Sequence, residues 1–304
     1  MSRVDVHQHA WPDALVEELR RRTVSPRIVD DRLVLDGEPD FALVAGDGVL
    51  AGLDDRRRTD AADDIDLALL ALSSPLGIET LDPTEAAPLL DAWHATADDL
   101  GPGHGLWAAV NLVEPDLDGL RATLASPAVH GLQVPATALL DPAALERLAP
   151  VLSVVEAAGL PVLVHPGPAP ATPGDADLPG WWPALTSYTA QLTAAWFAWH
   201  LAGRALLPEL RICFVALAGL APLHHERLTA RGGTFGSVDR HVYYDTSSYG
   251  SRAVDAMVRV VGVDPVVHGS DRPYADPRDP GLGEAFTQAL YVSNPHHLLN
   301  GGAR

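Results

Sequence analysis

The chain has 304 residues, of which 47% are hydrophobic and 20% are charged, and this composition predicts a globular protein with a large apolar core. An α/β barrel often uses a chain of this length as one domain. The 40 acidic and 21 basic side chains give a net charge of −19, which argues against nucleic-acid or anionic-membrane partners because both bind basic surfaces. The N-terminus has no apolar signal-peptide core and no apolar run is long enough to span a membrane, so a cytoplasmic location is expected.

All 21 basic residues are arginine, and the sequence contains no lysine. This excludes enzymes that form a Schiff base through lysine, enzymes that bind pyridoxal phosphate, and nucleotide-binding proteins that need a Walker A lysine. It also excludes a pair of metal ions bridged by a carbamylated lysine. The single cysteine, Cys213, excludes an internal disulfide framework and a cysteine-based zinc finger.

Eight short apolar runs alternate with segments of helical periodicity along the chain. The apolar runs are Val4–His7, Asp66–Leu72, Leu106–Leu112, Val129–Val134, Pro161–His165, Arg211–Ala216, His241–Asp245 and Pro265–Gly269. The helical patterns are Thr84–Ala97, Pro115–Leu124, Pro142–Ala158, Leu185–Leu201, Pro222–Ala230, Ser251–Val261 and Leu282–Leu290. Strands that alternate with helices pair in parallel through right-handed crossovers, so the pattern predicts a closed (β/α)8 barrel. A doubly wound open sheet is the alternative, but no Gly-x-Gly-x-x-Gly motif follows the first strand.

Two segments are longer than ordinary loops, and both follow the carboxyl ends of predicted strands. Arg20–Arg58 contains alternating apolar runs separated by Asp-Asp and Asp-Gly, which predicts a β-hairpin insertion after the first strand. Pro166–Pro183 is rich in proline, glycine and aspartate. Barrel enzymes build their sites at this end, so we expect both segments to form walls or lids of the site, with ordinary surface insertions as the alternative. Residues 1–304 are expected to form one domain that includes both segments.

Four residues with metal-binding side chains lie at the carboxyl ends of three predicted strands. His7 and His9 flank Gln8 on the first strand, and because side chains alternate along a strand both imidazoles point to the same side. His165 ends the fifth strand, and Asp271 follows the eighth. Each of them alone has an ordinary structural explanation. Together they converge on one barrel mouth and predict a mononuclear metal site with an open position for water.

The motifs around these residues carry a family resemblance. The matching stretches are DVHQHAWP, VLVHPG, LPELRICF, VYYDTSS and VVHGSDRPY, and Asn294 follows them near the C-terminus. In this order they resemble the metal-dependent amidohydrolase superfamily, in the branch that contains aminocarboxymuconate-semialdehyde decarboxylase and related hydrolases. The resemblance covers nearly the whole chain. It implies a distorted TIM barrel in which His7, His9, His165 and Asp271 bind one divalent cation, most commonly Zn²⁺, with Mn²⁺ and Fe²⁺ as alternatives.

The sixth strand departs from the family pattern. The family usually has a histidine at the end of this strand, where the present chain has Ala216, and the following Gly219 and Pro222 keep the register. Ala216 therefore brings an apolar surface to the mouth, and the usual second acid or base is missing. His224 or His225, about two helical turns further along, is the candidate for replacing it.

The missing histidine bears on the expected reaction. In the decarboxylases of this branch that histidine assists the chemistry, whereas a mononuclear hydrolase can work with metal-activated water and with Asp271 as the catalytic proton shuttle. The main expectation is therefore a metal-dependent hydrolase of a small amide, ester or lactone. A non-oxidative decarboxylase (carboxy-lyase) of a small carboxylated ring and a non-catalytic ligand-binding barrel are the alternatives.

Substrate-binding candidates lie on the predicted mouth loops. Trp11, Trp181 and Trp182 are expected to form an apolar wall for a ring or acyl group. Arg272 is a candidate for binding a substrate carboxylate, although a structural salt bridge would explain it equally well. Ala216 completes the expected substrate surface. The expected partner is a small-molecule substrate, and assembly into a homodimer is left open.

Overall fold

The computed structural model describes residues 2–36, 41–43, 52–169 and 178–302. None of the helices in this part of the chain is both long and apolar enough to cross a membrane. The strands are β1 Val4–His9, β2 Arg27–Val29, β3 Arg32–Val34, β4 Phe41–Ala42, β5 Leu67–Ala71, β6 His104–Ala108, β7 Val129–Pro135, β8 Val162–His165, β9 Ile212–Phe214, β10 Val242–Asp245 and β11 Val266–Val267. The helices are α1 Asp13–Arg21, α2 Leu53–Ala62, α3 Pro83–Asp99, α4 Leu117–Leu124, α5 Pro142–Ala157, α6 Thr189–Ala198, α7 Arg204–Leu206, α8 His225–Ala230, α9 Ser251–Val261, α10 Glu284–Gln288 and α11 Asn294–Asn300.

Eight of the strands form one parallel sheet in the order β1-β5-β6-β7-β8-β9-β10-β11. Backbone hydrogen bonds connect its two edges: Val6 N donates to His268 O at 2.9 Å, and Asp271 N donates to His7 O at 2.9 Å. The sheet is therefore a nearly closed barrel, and the predicted (β/α)8 fold is confirmed. The same hydrogen bonds bring the segment after β11 against β1, which places Asp271 beside the two histidines of β1.

The segment after β1 forms a small separate sheet. β2 and β3 pair in antiparallel fashion, with Ile28 opposite Leu33, and β4 adds a third strand. The predicted hairpin insertion is confirmed. Residues 37–40 and 44–51 of this insertion, and residues 170–177 of the predicted lid, lie outside the described residues.

Three helices begin at capping aspartates, as their sequences indicate. Asp82 accepts a hydrogen bond from the backbone N–H of Thr84, and Asp116 and Asp141 cap α4 and α5 in the same way. In α3 and α5 a proline follows the cap at the first helical position, where its fixed φ fits the helix and no N–H is needed. These caps fix where the helices start after their strands and keep the crossovers short.

The barrel interior below the mouth is filled by a tryptophan that reaches across it. Trp107 on β6 is fully buried, and its indole N–H donates to Val6 O at 2.8 Å. Gly131 on β7 makes room for this ring, because a Cβ at that position would lie 2.4 Å from Trp107 Cζ3. This packing closes the barrel under the site.

The helix α2 packs on β1 mainly through polar groups. Arg56 donates from Nη2 to His9 O at 2.7 Å. Gln8 donates from Nε2 to Asp60 Oδ1 at 2.7 Å and to Asp5 Oδ2 at 2.9 Å. Buried polar groups are costly unless they are hydrogen-bonded, so these contacts specify one position of α2 against the strand that carries the two histidines.

Candidate metal centre

The four predicted ligands converge at the barrel mouth. His7 and His9 extend from β1, His165 ends β8, and Asp271 follows β11, and all three imidazoles are buried. One side-chain atom of each residue lies within 4.8 Å of all the others. His7 Nε2 is 3.1 Å from His9 Nε2, and Asp271 Oδ1 is 3.3 Å from His9 Nε2. Such a cluster of nitrogen and oxygen atoms has the size and chemistry of a mononuclear divalent-metal site.

The outer nitrogen of each imidazole is held by an acceptor. His7 Nδ1 lies 2.8 Å from Asp245 Oδ2, His9 Nδ1 lies 3.0 Å from Ala71 O, and His165 Nδ1 lies 2.9 Å from Pro166 O. A carbonyl oxygen only accepts, so Nδ1 of His9 and of His165 carries the proton. Their Nε2 atoms therefore present lone pairs to the centre of the cluster. Metal-binding histidines are oriented in this way by a hydrogen bond from the nitrogen that does not face the metal.

Bringing these lone pairs together is unfavourable unless a cation lies between them. Burial lowers the pKa of His9 and, far more strongly, that of His165, so both rings stay neutral at physiological pH. A neutral His7 that donates from Nδ1 to Asp245 has no proton on Nε2, so the 3.1 Å between His7 Nε2 and His9 Nε2 is then bridged by no hydrogen bond and suits a cation between the two atoms. The donor set of three imidazoles and one carboxylate thus fits a bound divalent cation.

The environment of His7 differs from that of the other two histidines. Burial acts to lower its pKa, but the carboxylates of Asp245, Asp271 and Asp5 outweigh that effect and raise it. Asp245 is fully buried, and its second oxygen accepts hydrogen bonds from Ala216 N at 2.7 Å, Ser247 N at 3.0 Å and Ser247 Oγ at 2.5 Å. Asp245 is thus fixed in place by strand-end backbone groups and orients His7 in turn.

The two oxygens of Asp271 have different neighbours. Oδ1 faces His9, whereas Oδ2 accepts a hydrogen bond from Ser248 Oγ at 3.2 Å. Burial alone would raise the pKa of Asp271, but the hydrogen bond with His9 and the neighbouring histidines lower it to about 2. Asp271 is therefore a carboxylate at neutral pH. Its backbone and that of Ser248 adopt the left-handed conformation, with φ of +59° and +64°, which is costly for residues other than glycine and is found at functional sites.

The end of β9 has an unusual backbone. Ala216, Leu217, Ala218, Gly219 and Leu220 are consecutive residues with φ between +47° and +66°. A Cβ at Gly219 would lie 2.5 Å from Thr189 O, so this position requires glycine. The turn directs Ala216 N to the Asp245 carboxylate, and the half-buried Ala216 side chain occupies the position where the family resemblance implies a histidine.

The three predicted substrate-binding tryptophans lie in two different environments. Trp11 is buried, and its indole N–H donates to Tyr274 Oη at 3.0 Å. The Tyr274 ring lies 5.2 Å from the His9 ring, so Trp11 supports the edge of the cluster. Trp181 and Trp182 are exposed, and none of the contacts in the described part of the chain joins them to the cluster.

Arg272 and the two candidate replacement histidines point to other neighbours. Arg272 Nη2 lies 2.5 Å from Asp63 Oδ2, so it forms the salt bridge that the sequence left open. His224 is exposed, and the His225 ring packs 5.6 Å from the Phe235 ring. Asp245, Ser248 and Tyr274 were not among the predicted site residues. Asp245 and Ser248 lie within the VYYDTSS motif and Tyr274 ends VVHGSDRPY, and these motifs were their only signal.

Solved structures of several enzymes share this fold. IDCase of Metarhizium anisopliae in apo form matches with a TM-score of 0.78 and 20% identity, over 98% of this chain and 97% of that chain. 5-Carboxyvanillate decarboxylase of Sphingomonas paucimobilis matches with a TM-score of 0.74 and 18% identity, over 98% of both chains. A dihydroxybenzoic acid decarboxylase of Polaromonas sp., with bound manganese and the inhibitor 2-nitroresorcinol, matches with a TM-score of 0.67 and 16% identity, over 98% and 96%. No protein-family profile matches the chain, and a search of curated proteins gives no match.

These comparisons confirm one prediction and correct another. The structural neighbours are amidohydrolase-superfamily enzymes, consistent with the branch that the motifs indicated. The expectation of a hydrolase acting on an amide, ester or lactone is wrong, because the neighbours are decarboxylases and favour the carboxy-lyase alternative. That expectation was based on the missing histidine at Ala216, and one lost side chain does not determine which bond is cleaved. Manganese, rather than zinc, is the metal named for the Polaromonas neighbour.

Proposed function

We propose that this protein is a metal-dependent carboxy-lyase, which removes CO₂ from a small carboxylated ring without oxidation. The observation that carries this proposal is the convergence of His7, His9, His165 and Asp271 within 4.8 Å, with the outer nitrogen of each imidazole already held. The shared fold with decarboxylases supports the choice of reaction. The absence of lysine agrees with it, because decarboxylation through a lysine Schiff base or pyridoxal phosphate is excluded.

The four residues would hold one divalent cation. A bound cation would supply positive charge that offsets the negative charge of the substrate acid at the open side of the cluster. Three imidazoles suit zinc and iron, and manganese is bound in the Polaromonas neighbour, so both Zn²⁺ and Mn²⁺ need to be tested. The hydrogen bond between His7 Nδ1 and Asp245, together with the carbonyl acceptors of His9 and His165, fixes the tautomers of the three histidines before metal binds.

Asp271 is the residue best suited to manage the proton. When the ring loses CO₂, the electrons of the broken C–C bond remain on the ring carbon, and that carbon must take up one proton. Asp271 is ionised at neutral pH, so it can accept a proton from solvent at Oδ2 and deliver it to the ring carbon. Ser248, which donates to the same oxygen, would orient the carboxylate for this transfer.

The surroundings of the cluster would select the substrate. The methyl group of Ala216 leaves room on the β9 side of the mouth that an imidazole would otherwise fill. Trp11 and Tyr274 would form an aromatic edge next to His9, and Trp181 and Trp182 would contribute an apolar wall. Arg272 would act indirectly, since its salt bridge with Asp63 holds the segment after Asp271. These features favour a flat ring of modest size.

The test is CO₂ release by the purified protein. The protein is stripped with a chelator, reloaded with Mn²⁺ or Zn²⁺, and incubated with isoorotate, 5-carboxyvanillate and dihydroxybenzoic acids, followed by a wider set of ring carboxylic acids. The expected result is metal-dependent CO₂ release that is lost in Asp271→Asn, with one proton taken up by the ring carbon for each CO₂ released. If metal-loaded protein binds ring acids but releases no CO₂ from any of them, the proposal is wrong and the ligand-binding barrel replaces it.

A further inference from the structure

A pocket with a volume of about 580 Å³ lies beside β10. It is lined by Trp196 on α6, by Trp199 just after that helix, by Phe235 in the loop before β10, and by Tyr244 on β10 itself. Pockets that bind small molecules usually measure about 300–1,000 Å³. This pocket is therefore large enough for a complete small-molecule ligand.

The strand β10 separates this pocket from the metal centre. Tyr244 and Asp245 are successive residues of β10, and successive side chains of a strand point to opposite faces of the sheet. Asp245 points into the barrel, where its Oδ2 lies 2.8 Å from His7 Nδ1. Tyr244 therefore points outwards, into the wall of the pocket. The pocket and the metal centre lie on opposite sides of the same strand.

Aromatic rings form much of the pocket wall. Four of its 16 lining residues are tryptophan, tyrosine or phenylalanine, whereas these residue types make up 6% of the chain. The Trp196 and His200 rings are nearly parallel, with 10° between their planes, and the Phe235 ring is inclined by 25° to that of Trp196. Aromatic rings pack favourably in offset-stacked pairs, so a flat ligand ring can lie against this wall in the same orientation.

Hydrogen bonds within the protein hold the walls in place. The Trp196 indole N–H donates to Tyr244 Oη at 3.0 Å, and both side chains are buried. Arg204 donates from Nε and Nη2 to the two carboxylate oxygens of Asp239, at 3.0 and 3.2 Å. Arg204 Nη1 donates to three backbone carbonyls, those of Leu207, Pro208 and Leu210. The pocket is therefore preformed, and a ligand loses little affinity in ordering it.

The charges around the pocket favour an uncharged ligand. Arg204 and Asp239 neutralise each other in a salt bridge. Arg240 is the other arginine among the described lining residues, and it is exposed, so solvent and salt screen its charge. The ring acids proposed for the metal centre would gain little from their carboxylate in this pocket.

One buried donor in the wall has no acceptor. Trp199 is 2% exposed, and its Nε1 makes no hydrogen bond to any residue that the structure describes. Gly203 permits the close packing of this ring, because an added Cβ would lie 2.3 Å from Trp199 Cδ2. Leaving a buried N–H without an acceptor is unfavourable, so a ligand oxygen that accepts from Trp199 Nε1 would relieve that cost.

From these observations we infer that the pocket beside β10 is a second small-molecule site, which binds a flat, uncharged aromatic ring that carries a carbonyl acceptor. The ring packs against Trp196 and Phe235, and the carbonyl oxygen accepts from Trp199 Nε1. This site does not depend on the proposed reaction, because it lies outside the barrel and takes a different class of ligand.

The experiment compares three uncharged probes by titration of the ¹⁵N-labelled, Zn²⁺-loaded protein in NMR spectra. N-methylquinolone has an aromatic ring and a carbonyl, N-methylindole has the ring without an acceptor, and N-methylpiperidone has the carbonyl without an aromatic ring. The Trp199 indole N–H signal is assigned by its loss in Trp199→Phe. We expect N-methylquinolone to shift this signal, and to bind about 3- to 10-fold more tightly than N-methylindole and at least about 10-fold more tightly than N-methylpiperidone.

Two variants separate the donor from the ring contacts. Trp199→Phe keeps an aromatic ring but removes the N–H, so it should abolish the preference for N-methylquinolone over N-methylindole. Phe235→Ala should weaken the binding of both ring probes by about 3- to 10-fold and leave their ratio unchanged. Phe235 lies in a loop and is half-buried, so this variant should fold even if Trp199→Phe does not.

Trp93→Phe is the matched control, because Trp93 is a buried tryptophan outside the pocket whose N–H donates to Trp107 O, and its replacement should leave the preference as in wild type. If N-methylquinolone does not shift the Trp199 signal, or if Phe235→Ala binds both ring probes as tightly as wild type, the inference is wrong. Failure of CO₂ release with all ring acids would overturn the proposed function and leave this second site standing.

Discussion

Replacing Asp245 with asparagine should weaken metal binding although Asp245 is not itself one of the four ligands. Asp245 Oδ2 accepts from His7 Nδ1 at 2.8 Å, and Oδ1 accepts three further hydrogen bonds from Ala216 and Ser247. Both oxygens are therefore pure acceptors in a fully buried position. An amide of the same shape has only one acceptor oxygen, so it cannot satisfy both sides.

Each orientation of the new amide has a cost. If its NH₂ group faces His7, Nδ1 must become the acceptor, and the ring proton moves to Nε2, which then cannot bind a cation. If the NH₂ group faces Ala216 and Ser247 instead, it meets three donors and leaves buried N–H groups unsatisfied, at about 1–3 kcal/mol for each group. The first orientation lowers metal affinity, and the second lowers the stability of the folded protein.

The expected magnitude is a 10- to 100-fold loss of metal affinity, equivalent to about 1.4–2.7 kcal/mol, as for other residues that orient a metal-binding histidine. Dissociation constants for Mn²⁺ and Zn²⁺ would be measured by competition with a fluorescent chelator. Thermal unfolding without metal would report any loss of folding separately. Ser247→Ala is the matched control, because it removes one hydroxyl donor and leaves the Ser247 and Ala216 amides in place, and it should change metal affinity by less than about 3-fold. An Asp245→Asn protein that is folded and binds metal as tightly as wild type would refute the role assigned to His7.

Three further predictions concern the proton, the metal and a buried acid. Asp271→Asn should reduce CO₂ release by about 10²–10⁴-fold in steady-state assays, and unchanged turnover would contradict its role in proton transfer. Adding Mn²⁺ to chelator-treated protein should raise the melting temperature progressively, with about 2.7 kcal/mol of stabilisation at 100 times the dissociation constant, and a concentration-independent melting temperature would contradict a site in the folded state. Burial raises the pKa of Glu79 above its ordinary value, so the folded protein keeps a proton that the unfolded chain releases. The free energy of unfolding should therefore fall as pH rises from 4.5 towards the folded pKa, by at most about 1.4 kcal/mol per pH unit, and Glu79→Gln should remove that slope in urea titrations at several pH values.

The barrel was predictable from the sequence because its strands are buried on both faces. Such strands appear as continuous apolar runs, and all eight predicted runs overlap an observed barrel strand. The helices α1 and α2 were not predicted. α1 (DALVEELRR) has an apolar face that the sequence does show, through Leu15, Val16 and Leu19, but this segment was not assigned to any helix or strand. α2 (LDDRRRTDAA) has no apolar periodicity, since it packs through Arg56 and Asp60, and a hydrophobic pattern cannot reveal such a helix.

The candidate site was predictable only in part for a similar reason. Metal-ligand residue types at strand ends were visible in the sequence, so His7, His9, His165 and Asp271 could be grouped. The residues that orient these ligands could not be identified, because the sequence does not show which histidine an aspartate such as Asp245 contacts until the strands are placed side by side. The left-handed turn after β9 was equally hidden, since only one of its five residues is glycine.

That turn explains how the site can dispense with the histidine of the sixth strand. In this chain β9 contributes to the cluster through a backbone group: Ala216 N donates to Asp245, and Asp245 holds His7. This support does not depend on the side chain at position 216, so a histidine can be lost there without disturbing the metal ligands. What is lost is one group that can carry a proton next to the substrate. In the proposed function Asp271 then handles the proton, with Ser248 donating a hydrogen bond to its outer oxygen, and the proposed reaction has to be one for which a single carboxylate is sufficient. Decarboxylation meets that condition, because replacing CO₂ on a ring carbon requires the delivery of one proton and no leaving group to be protonated.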